Sequence, residues 1–252
     1  REESGAACAL LTMELEDPFG YGRIIRSSSA SGHSDACDAE YENSRVLRIV
    51  EQKDGSEEEL LITECNSGFY CFDAALLREA LQSVSTDNAQ GEYYLTDVAE
   101  ILGKSGHLCI AVKAEDPEEC LGVNSRVQLS VATTILQSRI NVKWMNEGVT
   151  MVSPVQTWIG PDVELSEDVE LLPNVALLGK TTVGTDCVIG PDSRLTDTQV
   201  GERCIIDETV AVEAIIEDDA TCGPRAYLRP GAHLMKGSKA GTHVEIKRSV
   251  ID

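Results

Sequence analysis

The sequence is short of positive charge. Its 21 Lys and Arg residues face 43 Asp and Glu, a formal balance of −22 over 252 residues. A field of that sign repels phosphate backbones and anionic lipid heads, which argues against nucleic acid and membrane surfaces as partners. Any anionic substrate then needs a local cationic or metal-bearing site. Long apolar runs are also missing: none approaches the ~18 residues that span a bilayer. No signal-peptide pattern opens the chain, which begins at Arg1 rather than Met and reads as part of a longer protein. Zinc spacing is absent. The nine cysteines, at 8, 37, 65, 71, 109, 120, 187, 204 and 222, include no C-x-x-C pair. They read as reduced cytosolic thiols, mostly packed as small apolar residues. His33, His107, His233 and His243 are scattered and form no local ligand cluster.

What is present divides on rhythm near residue 150. In the first half, strand signals (Ala9 to Leu15, Val46 to Glu51, Leu60 to Thr63, Gly68 to Phe72, Cys109 to Val112) alternate with helix signals. The segment from Asp73 to Ser83 is a helix with Asp73 at its N-cap, and Thr96 to Leu102 is a second. Asn124 to Asn146 gives a long helix with Val127, Val131, Leu136, Ile140 and Trp144 along one face, stopped by Gly148 and Pro154. This alternation defines an α/β layer architecture. The run between Arg26 and Arg45, rich in Ser, Gly and acidic residues, has no apolar periodicity and reads as a surface loop joining a hairpin.

From Ile159 the rhythm becomes six. Apolar residues recur at Ile159, Leu165, Leu171, Leu177, Val183, Ile189 and Leu195. The frame slips by five to Val200 and Ile206, then resets at Ile216, Cys222, Leu228, Leu234, Ala240 and Ile246. Four places after the first six stand Val163, Val169, Val175, Thr181, Cys187 and Ser193. This is a hexapeptide repeat: three hexads close one triangular coil, each apolar residue stacks on its copy one coil away, and Gly eases the corners. About fifteen hexads make roughly five coils. Arg229 and Lys247 each follow an inward residue and so point outward. Their spacing of one coil stacks them on one edge, about one strand spacing apart. Exposed basic residues are usually just solvated. Two stacked cations on an acidic protein nonetheless make a plausible phosphate site.

Five motifs follow in order: Asp17-Pro18-Phe19-Gly20-Tyr21-Gly22-Arg23-Ile24, Val50-Glu51-Gln52-Lys53-Asp54, Asn66-Ser67-Gly68, Gly91-Glu92-Tyr93-Tyr94-Leu95-Thr96-Asp97 and Gly122-Val123-Asn124-Ser125-Arg126. With Leu228-Arg229-Pro230-Gly231-Ala232 beyond them, the chain resembles the bacterial bifunctional enzymes that acetylate glucosamine-1-phosphate and then uridylylate it to UDP-N-acetylglucosamine. The resemblance covers all but the Arg26–Arg45 insertion. It implies the C-terminal half of a Rossmann-like nucleotidyltransferase domain over residues 1–123. A long helix and linker (124–154) would follow, then a truncated left-handed parallel β-helix over 155–252. It also implies a homotrimer, acetyl-CoA and UTP as co-substrates, and Mg2+. The family's Gly-rich nucleotide loop and magnesium aspartate would precede residue 1, and its acetyl-transfer histidine would follow Asp252. No catalytic residue is then expected in this stretch, and the stretch alone is expected to be inactive.

Each site residue has a plainer reading beside the one the family implies. Gly22 is either a turn glycine needing positive φ or, as in the family, a backbone N–H against N-acetylglucosamine phosphate. Glu51 is a solvated strand-end charge or a carboxylate accepting two sugar hydroxyls. Asn66 is an Asx-turn former or a sugar contact with both donor and acceptor. Asn124 is the N-cap of the long helix or, by family position, a substrate-binding magnesium ligand through its carbonyl oxygen. Arg229 and Lys247 occupy the family's sugar-phosphate positions for acetyl transfer. His243 matches no catalytic position, Lys53 stays outside the site, and Trp158 and Tyr227 read as packing or interface residues. Two other readings remain: a sugar-1-phosphate nucleotidyltransferase whose β-helix serves only assembly, and a non-catalytic scaffold.

Overall fold

The computed structural model describes residues 1–26 and 44–252. The insertion expected to form a surface loop, with His33 and Cys37, lies outside the described residues. The chain forms two compact units, Arg1–Asn124 and Ser125–Asp252.

The first unit is built on a mixed sheet. Its strands are β1 (Cys8–Glu14), β2 (Arg23–Arg26), β3 (Val46–Val50), β4 (Glu64–Phe72) and β5 (Cys109–Lys113), in spatial order β3-β2-β4-β1-β5. β2 and β3 pair antiparallel, so the ends of the insertion do close a hairpin. β1 runs antiparallel to β4 and parallel to β5, in register Cys8 with Cys109. Helices α1 (Ala74–Leu81) and α2 (Asp97–Lys104) follow. The Asp73 carboxylate accepts the N–H groups of Ala75 and Leu76, the cap read from sequence. Leu10, Ile24, Val46, Val98 and Leu102 fill the core.

Missed capping defeats two expectations. Leu60 to Thr63 is not a strand. Ser56 and Glu59 form a capping box, in which the Ser56 N–H donates to Glu59 Oε2 (2.9 Å) and the Glu59 N–H to Ser56 Oγ (3.3 Å). A short 3-10 turn, Glu59–Leu61, results. Asn66 therefore sits inside β4 rather than in a turn after a strand. The second failure is at the long helix α3 (Arg126–Asn146). Ser125, not Asn124, caps it, accepting the Gln128 N–H at 3.1 Å.

In the second unit only the end of α3 is packed. Ile140 and Trp144 join the solenoid core, whereas Val127, Val131 and Leu136 remain exposed. Asn141 is buried there and donates to the carbonyls of Pro154 (2.8 Å) and Thr157 (3.0 Å). The solenoid follows: eighteen short strands from Thr150–Met151 to Val250–Ile251 in three parallel six-stranded sheets. That is six coils rather than about five. The repeat starts before Ile159, because Met151 already pairs beneath Leu171.

The frame slip is a real shortening. Leu177 pairs with Leu195, 18 residues on, but Leu195 pairs with Ala211, only 16 on. Ala211 is the inward residue of the skipped hexad, fully buried, and too small to stand out in the apolar count. The small residues four places on are buried too. Three accept a backbone N–H from the next coil: Thr181 Oγ1 from Thr198 (3.3 Å), Cys187 Sγ from Cys204 (3.2 Å) and Ser193 Oγ from Thr209 (3.1 Å). This pairs buried amides that the sheet ladders leave out.

The glycines that follow inward residues, such as Gly184 after Val183 and Gly190 after Ile189, do not ease corners. Gly184 and Gly190 have no positive φ, and a Cβ at Gly184 would stand 2.6 Å from the Gly201 carbonyl oxygen. They make room for the adjacent coil. Asp and Asn in left-handed geometry turn many corners, among them Asp168, Asn174, Asp186 and Asp192.

Because Leu195 is fully buried between Leu177 and Ala211, Leu195→Ala should destabilise the solenoid by about 2–5 kcal/mol. Chemical denaturation followed by far-UV circular dichroism measures this. The exposed Leu136→Ala should cost less than about 0.5 kcal/mol.

Candidate functional site

In the first unit the fold brings together three residues that lie apart in sequence. A Cβ built on Gly22 would stand 3.5 Å from Glu51 Oε1 and 3.6 Å from Asn66 Cβ. Gly22 is buried at the start of β2, Glu51 follows β3, and Asn66 lies in β4, so the three ends meet through the order β3-β2-β4. The Asn66 N–H donates to the Gly22 carbonyl at 2.8 Å. Gly22 lacks the positive φ a turn glycine would show; that conformation falls on Gly20. Its constraint is space, since a Cβ would also reach 3.0 Å from Ile49 Cγ2.

Asn66 opens a bulge. Opposite Leu10 and Thr12, β4 spends extra residues between Tyr70 and Asn66, with Gly68 at φ +85°. Asn66 Oδ1 accepts the Gly68 N–H (3.1 Å), and its Nδ2 donates to the Tyr70 hydroxyl (2.7 Å). The Asx-type contact and a placement beside Glu51 therefore coexist. Tyr70 stacks on Phe72 with centroids 5.3 Å apart. Burial pushes its phenol up to about 12, against the lowering hydrogen bond from Asn66, and the nearby Glu51 charge adds to the rise. It therefore stays neutral and keeps the Asn66 amide oriented.

Thr96 Oγ1 donates to Glu51 Oε1 at 3.0 Å. Thr96 is at the N-cap position of α2 yet makes no side-chain cap bond. No local sequence signal marks this link across 45 positions. Glu51 also borders a cleft of about 140 Å³ with Asp54, Asn88, Tyr94, Asp97 and Glu100. Burial raises the Asp97 carboxyl above its usual range, with Glu100 and Asp54 adding repulsion. Lys53 donates to Gln90 Oε1 (2.7 Å), and Asp54 accepts the Ala89 N–H (2.7 Å). These contacts tie the 87–97 segment to the strand end.

Asn124 is exposed at the end of the first unit. Its Nδ2 would stand 3.9 Å from a Cβ on Gly122. An amide oxygen is a hard donor that suits magnesium. Among the described residues no group of three or more His, Cys, Asp or Glu side chains is arranged to hold a metal. The Asn124 side chain is chemically suited to act as one such donor.

In the solenoid, Tyr227 pairs with Glu245 and Leu228 with Ile246. Arg229 and Lys247 are the next residues in that register. Arg229 is not a free cation: its guanidinium donates to Glu245 Oε1 at 2.6 Å and lies 6.0 Å from the Tyr227 ring centre. Sequence spacing gave the stack but not this carboxylate. His243 is exposed in left-handed geometry, with its N–H on the Pro224 carbonyl (3.3 Å).

A mixed α/β sheet unit followed by a six-coil parallel hexapeptide solenoid defines the class. No protein-family profile matches the chain. Curated relatives do. Bifunctional protein GlmU of Lactobacillus delbrueckii subsp. bulgaricus is 44% identical over 250 residues, which is 99% of this chain and 51% of that protein. The GlmU proteins of Brevibacillus brevis and Heliobacterium modesticaldum are 45% and 43% identical, again over 99% of this chain. The chain belongs to this family and spans about half the length of the curated relatives it matches. Among solved structures, PerB from Caulobacter crescentus, in complex with CoA and GDP-perosamine, covers 59% of this chain at 17% identity, with a TM-score of 0.39. No helix among the described residues is long and apolar enough to cross a membrane.

Proposed function

We propose that this chain is the part of a bifunctional UDP-N-acetylglucosamine-forming enzyme that holds the sugar in both reactions. In the first unit it receives N-acetylglucosamine-1-phosphate for uridylyl transfer from UTP. In the solenoid it receives glucosamine-1-phosphate for acetyl transfer from acetyl-CoA. The convergence of Gly22, Glu51 and Asn66 carries this reading, because each offers a different polar function to one small volume. The Glu51 carboxylate, held on Oε1 by Thr96, has acceptor capacity for sugar hydroxyls. Asn66 offers a fixed amide, and Gly22 lets a ligand approach the backbone.

Uridylyl transfer forms a bond from the sugar-phosphate oxygen to the α-phosphorus of UTP and breaks the α–β anhydride, releasing pyrophosphate. Magnesium, when bound, offsets the charge of those phosphates. Asn124 would contribute one oxygen to that ion. The sugar trio fixes the nucleophile's direction, so that the attack is an oriented, effectively intramolecular step.

Asn124→Ala or Glu51→Ala in the intact parent protein should lower kcat/KM for uridylyl transfer about tenfold to hundredfold and leave acetyl transfer unchanged. Equal loss of both activities would indicate a folding defect and sink the assignment.

At the solenoid edge, a phosphate dianion would draw on Lys247 and compete with Glu245 for Arg229. Arg229→Ala and Lys247→Ala should each raise the KM for glucosamine-1-phosphate in acetyl transfer about tenfold to hundredfold. The double variant should be less than additive, because both side chains address one phosphate. Unchanged KM values in both single variants would remove this site.

A homotrimer accompanies the reading. Trp158, Ala176, Arg194, Val210 and Tyr227 follow one another in register on the outward face of one sheet, with Trp158 and Tyr227 both exposed. Closed cyclic contacts satisfy such a face. Light scattering of the intact protein should give three subunits; a monomer would contradict it.

A further inference from the structure

We propose that Tyr21 is a positioning residue that sets Asn124 against the Gly22–Glu51–Asn66 trio, anchored from below by the buried Arg23. The inference rests on the sugar-site reading above and names residues of the same site that reading does not use.

Arg23 is the largest fully buried side chain of the first unit, 2% exposed. A buried cation is costly unless it is paired. No salt bridge to Arg23 exists among the described residues, and its Nε has no hydrogen-bond partner. Its two terminal nitrogens are instead engaged by the Gly20–Gly22 loop and by the segment after β3. One donates to the Tyr21 carbonyl, and the other donates to Gln52 Oε1 at 2.9 Å. The same Gln52 oxygen accepts the Gly20 N–H at 3.0 Å. The loop is thus clamped at Gly20 and at Tyr21, immediately before Gly22, and Gln52 is the neighbour of Glu51.

The other end of the strut is the Tyr21 side chain. Its ring packs on the small cluster of Met13, Cys65 and Cys120. Its hydroxyl accepts the Gly122 N–H at 3.2 Å. A Cβ on Gly122 would stand 3.9 Å from Tyr21 Cε1, from the Tyr21 hydroxyl and from Asn124 Nδ2 alike. The backbone two residues before Asn124 is therefore held by the residue next to Gly22. One short loop carries both the floor of the sugar pocket and the support of the metal-side asparagine. Positions 22 and 124 are 102 residues apart in sequence, and this contact fixes their spacing. A substrate whose sugar and phosphate ends must be gripped together needs that spacing held, because small misplacements at the reacting centre are costly in rate.

The test uses the intact parent protein with Tyr21→Phe, which deletes one oxygen and keeps the ring. The probe is UDP-N-acetylglucosamine, titrated by calorimetry with and without magnesium. Tyr21→Phe should weaken binding about tenfold with magnesium present and less than twofold without it. In steady-state uridylyl transfer, kcat should fall while the KM for N-acetylglucosamine-1-phosphate changes less than twofold. Gly122→Pro, which removes the donor and keeps the phenol, should reproduce the magnesium-dependent loss.

Equal weakening with and without magnesium, or unchanged titrations in both variants, would overturn the proposal. Asn124→Ala separates the two levels. If it abolishes the magnesium-dependent gain while Tyr21→Phe does nothing, the strut alone is wrong. If Asn124→Ala also does nothing, the site reading fails and the strut with it.

Discussion

Stacking is the constraint on which the solenoid depends. A single coil exposes its hydrophobic interior above and below, so each coil is stable only between neighbours. Each inward position of an inner coil is therefore read by two others, as Leu195 is by Leu177 and Ala211. The same register aligns everything on the outside. Arg229 and Lys247 stand in adjacent coils because they follow the paired Leu228 and Ile246. The outward row from Trp158 to Tyr227 exists for the same reason. Surface chemistry on this unit follows from core packing.

The first unit is organised by convergence rather than by repetition. Three strand ends meet where β3, β2 and β4 are adjacent, and a bulge at Ser67–Phe69 re-aims the Asn66 side chain. Behind these residues stands a supporting layer: Thr96 on Glu51, Tyr70 on Asn66, and Arg23 with Gln52 on the loop before Gly22. A recognition site is useful only when its groups are held before the ligand arrives. Here the holding bonds are buried or half-buried, where a lost partner costs more than at the surface.

Much of this was legible in the sequence, for reasons tied to particular residues. Period six is a strong signal because each hexad repeats one steric demand, and the inward positions from Ile159 to Ala240 were read correctly. Ala211 was missed because a methyl group does not register as an apolar peak. The α3 face was overread: Val127, Val131 and Leu136 have helical spacing, but only the last turns have anything to pack on. The Leu60 to Thr63 strand and the Asn124 cap failed on short polar signals, Ser56 with Glu59 and Ser125 with Gln128, which outweigh local apolar content. The residues proposed to hold the sugar came from a resemblance of motifs. The supporting contacts, Thr96 on Glu51 across 45 positions and Gly122 on Tyr21 across 101, leave no local signal in the sequence.

The proposed uridylyl transfer requires one sugar to lie against Gly22, Glu51 and Asn66 in the first unit. A crystal structure of the intact parent protein with UDP-N-acetylglucosamine and magnesium tests it most directly. The sugar ring should lie between these three residues, with the Glu51 carboxylate on its hydroxyls, Thr96 still on Oε1, and the pyrophosphate directed toward Asn124. Density for the sugar anywhere else, with Glu51 bonded only to Thr96 as it is now, would contradict it.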